Sequence, residues 1–216
     1  MLFDLFGVIA RNQPPAARDA LTTLAGVTAP TFWDAYWKHR AAYDRADVTA
    51  TTYWHRVAAT LNVSFDEDRT AALIVADIGS WSTVDDDMVS LIDHLAASGP
   101  RLGLLSNIPE ELAAHYELHH GRWLRHFDVV AFSSRTGRAK PDPAAYRWCC
   151  QALGLAPETV LFIDDHAENV HAAARLGMRT HLFTSRDEAA RAISGTSPRA
   201  PANKHRPETA RGGRAG

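Results

Sequence analysis

The chain has 216 residues, 46% of them hydrophobic and 22% charged, a globular composition long enough for one domain plus an insertion. A formal net charge of −2 gives no electrostatic reason to expect nucleic acid or a membrane surface as a partner, and no run approaches the ~18 apolar residues of a membrane span. Two adjacent cysteines, Cys149 and Cys150, offer no disulfide framework; with no basic leader or signal core at the start, a reducing cytoplasm is expected.

In chain order, the first apolar run, Met1-Leu2-Phe3, is a short strand ending at Asp4. Three residues fall short of the usual five or six, so the start is expected to lie a few residues late. After a turn at Gly7, residues 13–81 read as helical, with helices expected at 16–24, 31–43, 51–61 and 65–79. Gly26, Pro30, Asp47 and Asn62-Val63 separate them; Thr31 after Pro30, and later Thr49, fit helix starts. Strand–helix alternation then resumes: helix 85–97, strand 101–105, helix 110–118, strand 128–132, helix 142–153, strand 159–163, helix 167–176 and strand 179–183. The alternation predicts an α/β fold with a doubly wound parallel sheet, built from residues 1–12 and 82–195, with the helical block 13–81 inserted. Residues 196–216 are rich in Pro, Arg, Gly and Ala and read as a disordered basic tail.

Four stretches place polar residues just past or at the end of apolar runs: LFDLFGVIA with Asp4, LLSN with Ser106, AKPDP with Lys140, and FIDDHAENV with Asp164 and Asp165. In open parallel sheets ligands bind beyond the carboxyl ends of the strands, so these groups are expected to converge. In this order, and followed by KPDPAAY and HAAARLGM, the stretches resemble the haloacid dehalogenase superfamily over about residues 1–183. The resemblance implies a Rossmann-like core, a helical cap over the site and, for most members, magnesium-dependent phosphatase activity. The LSN, KP and FxDDxxxN stretches look closest to a subgroup resembling the glucose-1-phosphate phosphatases.

Asp4 is then the candidate nucleophile, a carboxylate able to form an aspartyl-phosphate. Carboxylates in one cleft repel, which argues for a cation, and Mg²⁺ suits oxygen ligands plus a substrate phosphate. The resemblance implies Asp4, Asp165 and the backbone carbonyl of Phe6 as its ligands, with Asp164 in support. Lys140, on a loop stiffened by Pro141 and Pro143, neutralises phosphate charge. The Ser106 hydroxyl and the Asn107 backbone amide donate to the phosphoryl group at the start of the next helix. Asn169, one helical turn beyond Asp165, is expected to orient that carboxylate.

Position 6 departs from the superfamily pattern, in which most phosphatases carry an acid two residues after the nucleophile. Phe6 can neither give nor take a proton, a service typically worth about 10² to 10⁴ in rate. Three expectations stand: a substrate with a good leaving group such as a sugar 1-phosphate, a substitute acid such as His39 or His55, or a slow or inactive protein. The expected function is hydrolysis of a small phosphorylated metabolite. A phosphate-binding regulator and a 2-haloacid dehalogenase are the alternatives, the latter opposed by the intact Asp164-Asp165 pair. His115 and His119, spaced four apart, read as ordinary helix surface, because no Glu follows His115. Phe32, Trp33, Tyr36, Trp37, Tyr43, Tyr53 and Trp54 read as the core of the helical block, with one or two reaching substrate. A monomer and a homodimer are both compatible with the sequence.

Overall fold

The computed structural model describes residues 1–195, so the expected tail at 196–216 lies outside the described residues. Its centre is a parallel sheet of five strands among the described residues, in the order β3-β2-β1-β4-β5. The strands are β1 (Leu2–Phe3), β2 (Gly103–Ser106), β3 (Val129–Phe132), β4 (Leu161–Asp164) and β5 (Arg179–Leu182). The shortest strand is thus the central one. Leu2 and Phe3 are fully buried on opposite faces, as the two-residue period of a strand requires. Phe3 pairs with Leu104 on one side and Ile163 on the other. Asp4 therefore leaves the sheet level with Asp164.

Helices cover both faces. Phe3, Leu104 and Ile163 pack with α5 (Asp86–Ala97) and α6 (Glu110–Leu124), while Leu2, Leu105 and Phe162 pack with α8 (Pro143–Leu153) and α9 (Ala167–Ala174). Cys149 and Cys150 are buried in that second layer as free thiols. Asp85 and Asp142 start α5 and α8 by accepting from backbone N–H groups at 3.0 and 2.8 Å, caps typically worth about 1 kcal/mol each.

Between β1 and α5 lie α1 (Pro15–Ala25), α2 (Ala29–Asp44), α3 (Ala50–Thr60) and α4 (Glu67–Ser80), packed around their own apolar cluster. Phe32, Tyr36, Tyr43, Tyr53 and Trp54 are buried there, with Tyr43 and Tyr53 stacked at 4.5 Å. Trp33 is half-buried against that cluster, and Trp37 is 51% exposed. The end of α2 is tied to the sheet domain: Ser133 Oγ accepts from the Ile108 N–H at 2.8 Å and donates to the Asp44 carbonyl. Tyr43 OH donates to Glu111 at 3.0 Å.

Several expected boundaries shift. Thr49 caps α3, but α2 begins at Ala29, so Thr31 lies inside the helix rather than at its start. The second strand begins at Gly103, not Arg101, because the Leu102 N–H bonds the Asp128 carboxylate instead of a neighbouring strand. It runs through Ser106, which is a strand residue. A short helix α7 (Ser133–Thr136) and a final helix α10 (Arg186–Ser194) lie beyond the expected elements. Among the residues of α10 only Ala189 is buried, too weak an apolar stripe to read in a charged segment. No helix is long and apolar enough to cross a membrane among the described residues.

Candidate active site

Three strand ends meet at one point. Asp4 follows β1, Ser106 closes β2 and Asp164 closes β4, with β1 between the other two. The Asp4 carboxylate accepts at Oδ1 from the Leu5 N–H at 2.6 Å and from Lys140 Nζ at 2.5 Å. Lys140 Nζ also reaches Asp164 Oδ2 at 2.7 Å. All three side chains are buried. Lys140 arrives on the loop before α8, and Asn107 fixes that loop from both ends of its amide. Its Nδ2 donates to the Lys140 carbonyl, and its Oδ1 accepts from the Lys140 N–H, each at 2.8 Å.

Asn107 thus works through its side chain. It precedes α6 by three residues, so its backbone amide is not at the first turn of that helix as the sequence reading expected. Asn169 is likewise redirected. Its Nδ2 lies 3.1 Å from both oxygens of Asp164, not Asp165, because Asp164 ends its strand facing the first turns of α9. The His166 N–H adds a bond to Asp164 Oδ1 at 2.8 Å. Asp164 is thereby fully engaged, by one ammonium and two N–H donors.

Asp165 is less engaged, with the Asn12 side chain bonded to its carboxylate. Its Oδ1 is buried without a hydrogen-bond partner, with His166 Nε2 3.8 Å away. Oxygens of Asp4, Asp164 and Asp165 lie within 4.8 Å of one another, the one such metal-compatible cluster among the described residues. Burial pushes the Asp4 carboxyl up to about 8, with Asp164 and Asp165 adding to the rise and Lys140 opposing it. Burial also raises Asp165, again with Asp164 in the same direction. One lysine facing three carboxylates leaves a formal charge of −2, and an unpaired buried oxygen waits beside it. These are the conditions an oxygen-liganded divalent cation satisfies.

Gly7 makes this approach possible. It has φ +79°, and a Cβ there would stand 2.0 Å from Asp165 Oδ2. The hydroxyl of Ser106 is a second unpaired group at this point, fully buried with no partner for its Oγ; buried polar atoms of Trp54, Thr70, Asp93, Trp123 and His181 elsewhere in the described residues also lack one. What sets Ser106 and Asp165 apart is their place, at the ends of the strands that flank Asp4, where a bound ligand would supply the missing partner.

A cavity of about 280 Å³ opens beside Asp4 and Lys140, lined with them by Asn107 and Asn169 from the sheet domain and by Trp37, Arg40 and Asp44 from α2; Ser106 and Asp165 lie behind Asp4 and do not line it. The Phe6 ring lies in its wall, edge-on to Trp81 at 5.0 Å and to Tyr116 at 5.8 Å. The histidines expected as substitute acids do not line it: His39 bonds Thr60 Oγ1 at 2.8 Å and His55 is exposed elsewhere on the helical block. His166 is the histidine that does. Asn12, Arg40, Asp44, Trp81, His166 and Glu168 line the cavity without having been expected there. Trp37, Arg40 and Asp44 share one stripe of α2, a three-and-four spacing visible in the sequence but carrying no sign of which way it faces.

The haloacid dehalogenase-like hydrolase model matches residues 1–177. Phosphatase MT3486 of Mycobacterium tuberculosis is 36% identical over 110 residues, 51% of each chain. The GMP/IMP nucleotidase YrfG of Escherichia coli is 31% identical over 107 residues, 49% of this chain and 47% of that protein. Drimenol cyclase drtB of Aspergillus calidoustus is 38% identical over 68 residues, 32% of this chain and 13% of that protein. The matches thus span about half or less of these relatives. Among solved structures, a HAD family enzyme of Bacteroides thetaiotaomicron, crystallised as a magnesium complex, superposes with a TM-score of 0.73 at 17% identity, over 89% of this chain and 96% of that one. The L-2-haloacid dehalogenase of Xanthobacter autotrophicus superposes with a TM-score of 0.63 at 19% identity, over 91% of this chain and 82% of that one. At these identities the likeness is one of fold.

Proposed function

We propose, from the premise that the chain belongs to the haloacid dehalogenase-like hydrolase family, that it is a Mg²⁺-dependent phosphatase acting on a small phosphorylated metabolite. The observation that carries this reading is the pairing of a neutralised nucleophile with unfilled partners. Lys140 bridges Asp4 and Asp164, while Ser106 Oγ and Asp165 Oδ1 are buried and unbonded. The naming of the MT3486 relative as a phosphatase supports it.

In this mechanism Asp4 attacks phosphorus through Oδ2, since Oδ1 is taken by Leu5 N–H and Lys140. The P–O bond to the leaving group breaks and an aspartyl-phosphate forms, which water then hydrolyses. Ser106 Oγ donates to a phosphoryl oxygen and Lys140 offsets charge on the phosphoryl group, the electrostatic help such transfers depend on. Asn107 holds the lysine loop in place, and Asn169 with the His166 N–H holds Asp164. Asp4, Asp165 and the Phe6 carbonyl would hold Mg²⁺, which when bound supplies positive charge against the phosphate and the Asp4 carboxylate. The helical block acts as a cap that shields the cavity from water.

The Phe6 ring offers no proton to the departing oxygen. The reading therefore favours esters whose alcohol leaves easily, sugar 1-phosphates among them. Magnesium removal is the direct test. Chelation should stop hydrolysis of 4-nitrophenyl phosphate and added Mg²⁺ should restore it, with Asp165→Ala losing both metal binding and turnover. Full activity in excess chelator, or turnover of haloacids in place of phosphate esters, would overturn the reading.

A further inference from the structure

Helix α6 carries three histidines, His115, His119 and His120. His120 has a polar partner, its Nε2 3.3 Å from the Ser82 carbonyl, as His39 has in Thr60 and His126 in Asp93. His115 and His119 have each other. Their ring centroids stand 4.4 Å apart, tilted by 43°, and among the described residues neither ring makes a hydrogen bond or an ion pair. The spacing alone reads as ordinary helix surface; that the two rings are turned together is what the fold adds.

Residues four apart share one face of a helix, one turn from each other. Both histidines lie in the middle of a 15-residue helix, so the backbone beneath them is fixed by hydrogen bonds on either side. Burial, and after it His119 and His120, hold the His115 imidazole below its usual pKa, so that near pH 7 it is neutral and keeps a lone pair. Two neutral imidazoles so placed are a chelate. Zn–N bonds are about 2.0–2.1 Å long, and rotation of the two side chains brings one nitrogen of each ring to a shared ion.

The neighbouring acids are occupied elsewhere. Glu111 accepts from Tyr43 OH, and Glu117 is held by Arg135. His120, its ring 6.3 Å from that of His115, stays on Ser82. The ligand set is therefore two nitrogens and no carboxylate. Imidazole suits zinc, copper and nickel, whereas carboxylates suit magnesium, so ligand type alone separates this pair from the acidic cluster at Asp4. Neither histidine lines the cavity beside Asp4. His119 is exposed and His115 half-buried, so an ion reaches them from solvent and keeps water in its other positions.

We propose that His115 and His119 form a two-histidine site for a divalent transition metal (zinc, copper or nickel) on the outer face of α6. The site is independent of the phosphatase reading and stands or falls without it.

The test uses untagged protein dialysed against Zn²⁺ with Mg²⁺ saturating, and bound zinc is counted. The wild type should hold one more zinc per chain than His119→Ala or His115→Ala, while His39→Ala, a histidine bonded to Thr60, should match the wild type. Zinc should raise the unfolding temperature of the wild type more than that of His119→Ala, because an ion bound only by the folded state stabilises it. With Cu²⁺ in place of zinc, the electron paramagnetic resonance spectrum of the wild type should show coupling to two imidazole nitrogens, and each single variant should lose that signature. Equal zinc content in the wild type and a folded His119→Ala overturns the site, as does a Cu²⁺ spectrum without nitrogen coupling or a zinc ion lost from His39→Ala.

Discussion

Lys140 and Arg40 are the two buried cations among the described residues, and each stands between two carboxylates. Their surroundings are finished differently. Around Arg40 the polar groups close on one another: Tyr36 OH donates to Asp77 at 2.6 Å, Trp81 Nε1 donates to Tyr36 at 3.1 Å, and Ser80 Oγ donates to the Asp77 carbonyl at 2.6 Å. Around Lys140 the network stops short, leaving Ser106 Oγ and Asp165 Oδ1 without partners and a third carboxylate uncompensated. A closed network fixes the position of Arg40 between α2 and α4. An open one holds free energy in reserve for a ligand, because an unmade buried hydrogen bond costs more than a made one contributes.

The largest effect expected from this contrast is at Asp4. Asp4→Asn should lower phosphatase turnover by about 10³-fold or more, since an amide is a poor nucleophile. Its thermal stability should hold or rise, because one of three crowded carboxylates is neutralised. Wild-type turnover in the folded variant would break the comparison at its strongest point. Asp77→Ala should do the reverse. It leaves Arg40 short of one buried partner, and chemical denaturation should show a loss of about 3–5 kcal/mol; a loss under 1 kcal/mol would mean the Arg40 network is not closed as described.

Two serines sharpen the same point. Ser106→Ala removes a hydroxyl that bonds nothing in the folded protein, so stability should barely change while kcat falls by about 10²–10³-fold. Ser133→Ala removes a hydroxyl that joins the Ile108 N–H to the Asp44 carbonyl, and should cost about 1–3 kcal/mol of stability. Parallel unfolding and steady-state measurements on both variants separate the two behaviours; equal stability losses would erase the distinction. The smallest effect concerns Phe6. In the wild type the rate should depend steeply on leaving-group acidity, and Phe6→Asp should flatten that series, with gains of up to about 10²-fold confined to poor leaving groups. A flat series in the wild type would point to another acid in the cavity, with His166 the first residue to replace.

Much of this site was legible in the chain because its parts are local. An apolar run followed by a carboxylate places that carboxylate at a strand end wherever the sheet forms, and this held for Asp4 and Asp164. The lysine loop was also legible, since Pro141 and Pro143 follow Lys140 and stiffen the chain there. The partners were harder to read. Asn169 lies at helical spacing from Asp165, yet it serves Asp164, because the strand ends facing the helix rather than continuing its turn. The histidines of the helical block looked available as acids, but the packing of α2 on α3 pairs His39 with Thr60 and leaves it away from the cavity.

By itself, the amino-acid sequence determined the alternation of strands and helices, the position of the helical block and the residues that end the three central strands, since those follow from apolar periodicity and turn chemistry over a few residues. Only the tertiary structure decided that Arg40 and Asp77, 37 residues apart, would lock together, that Arg40, Asp44 and Trp37 would face Asp4, and that Asp165 would keep an oxygen unpaired beside Gly7. Those outcomes depend on how one packed body rests against another, and a buried charge finds its partner by that fit rather than by its place in the chain.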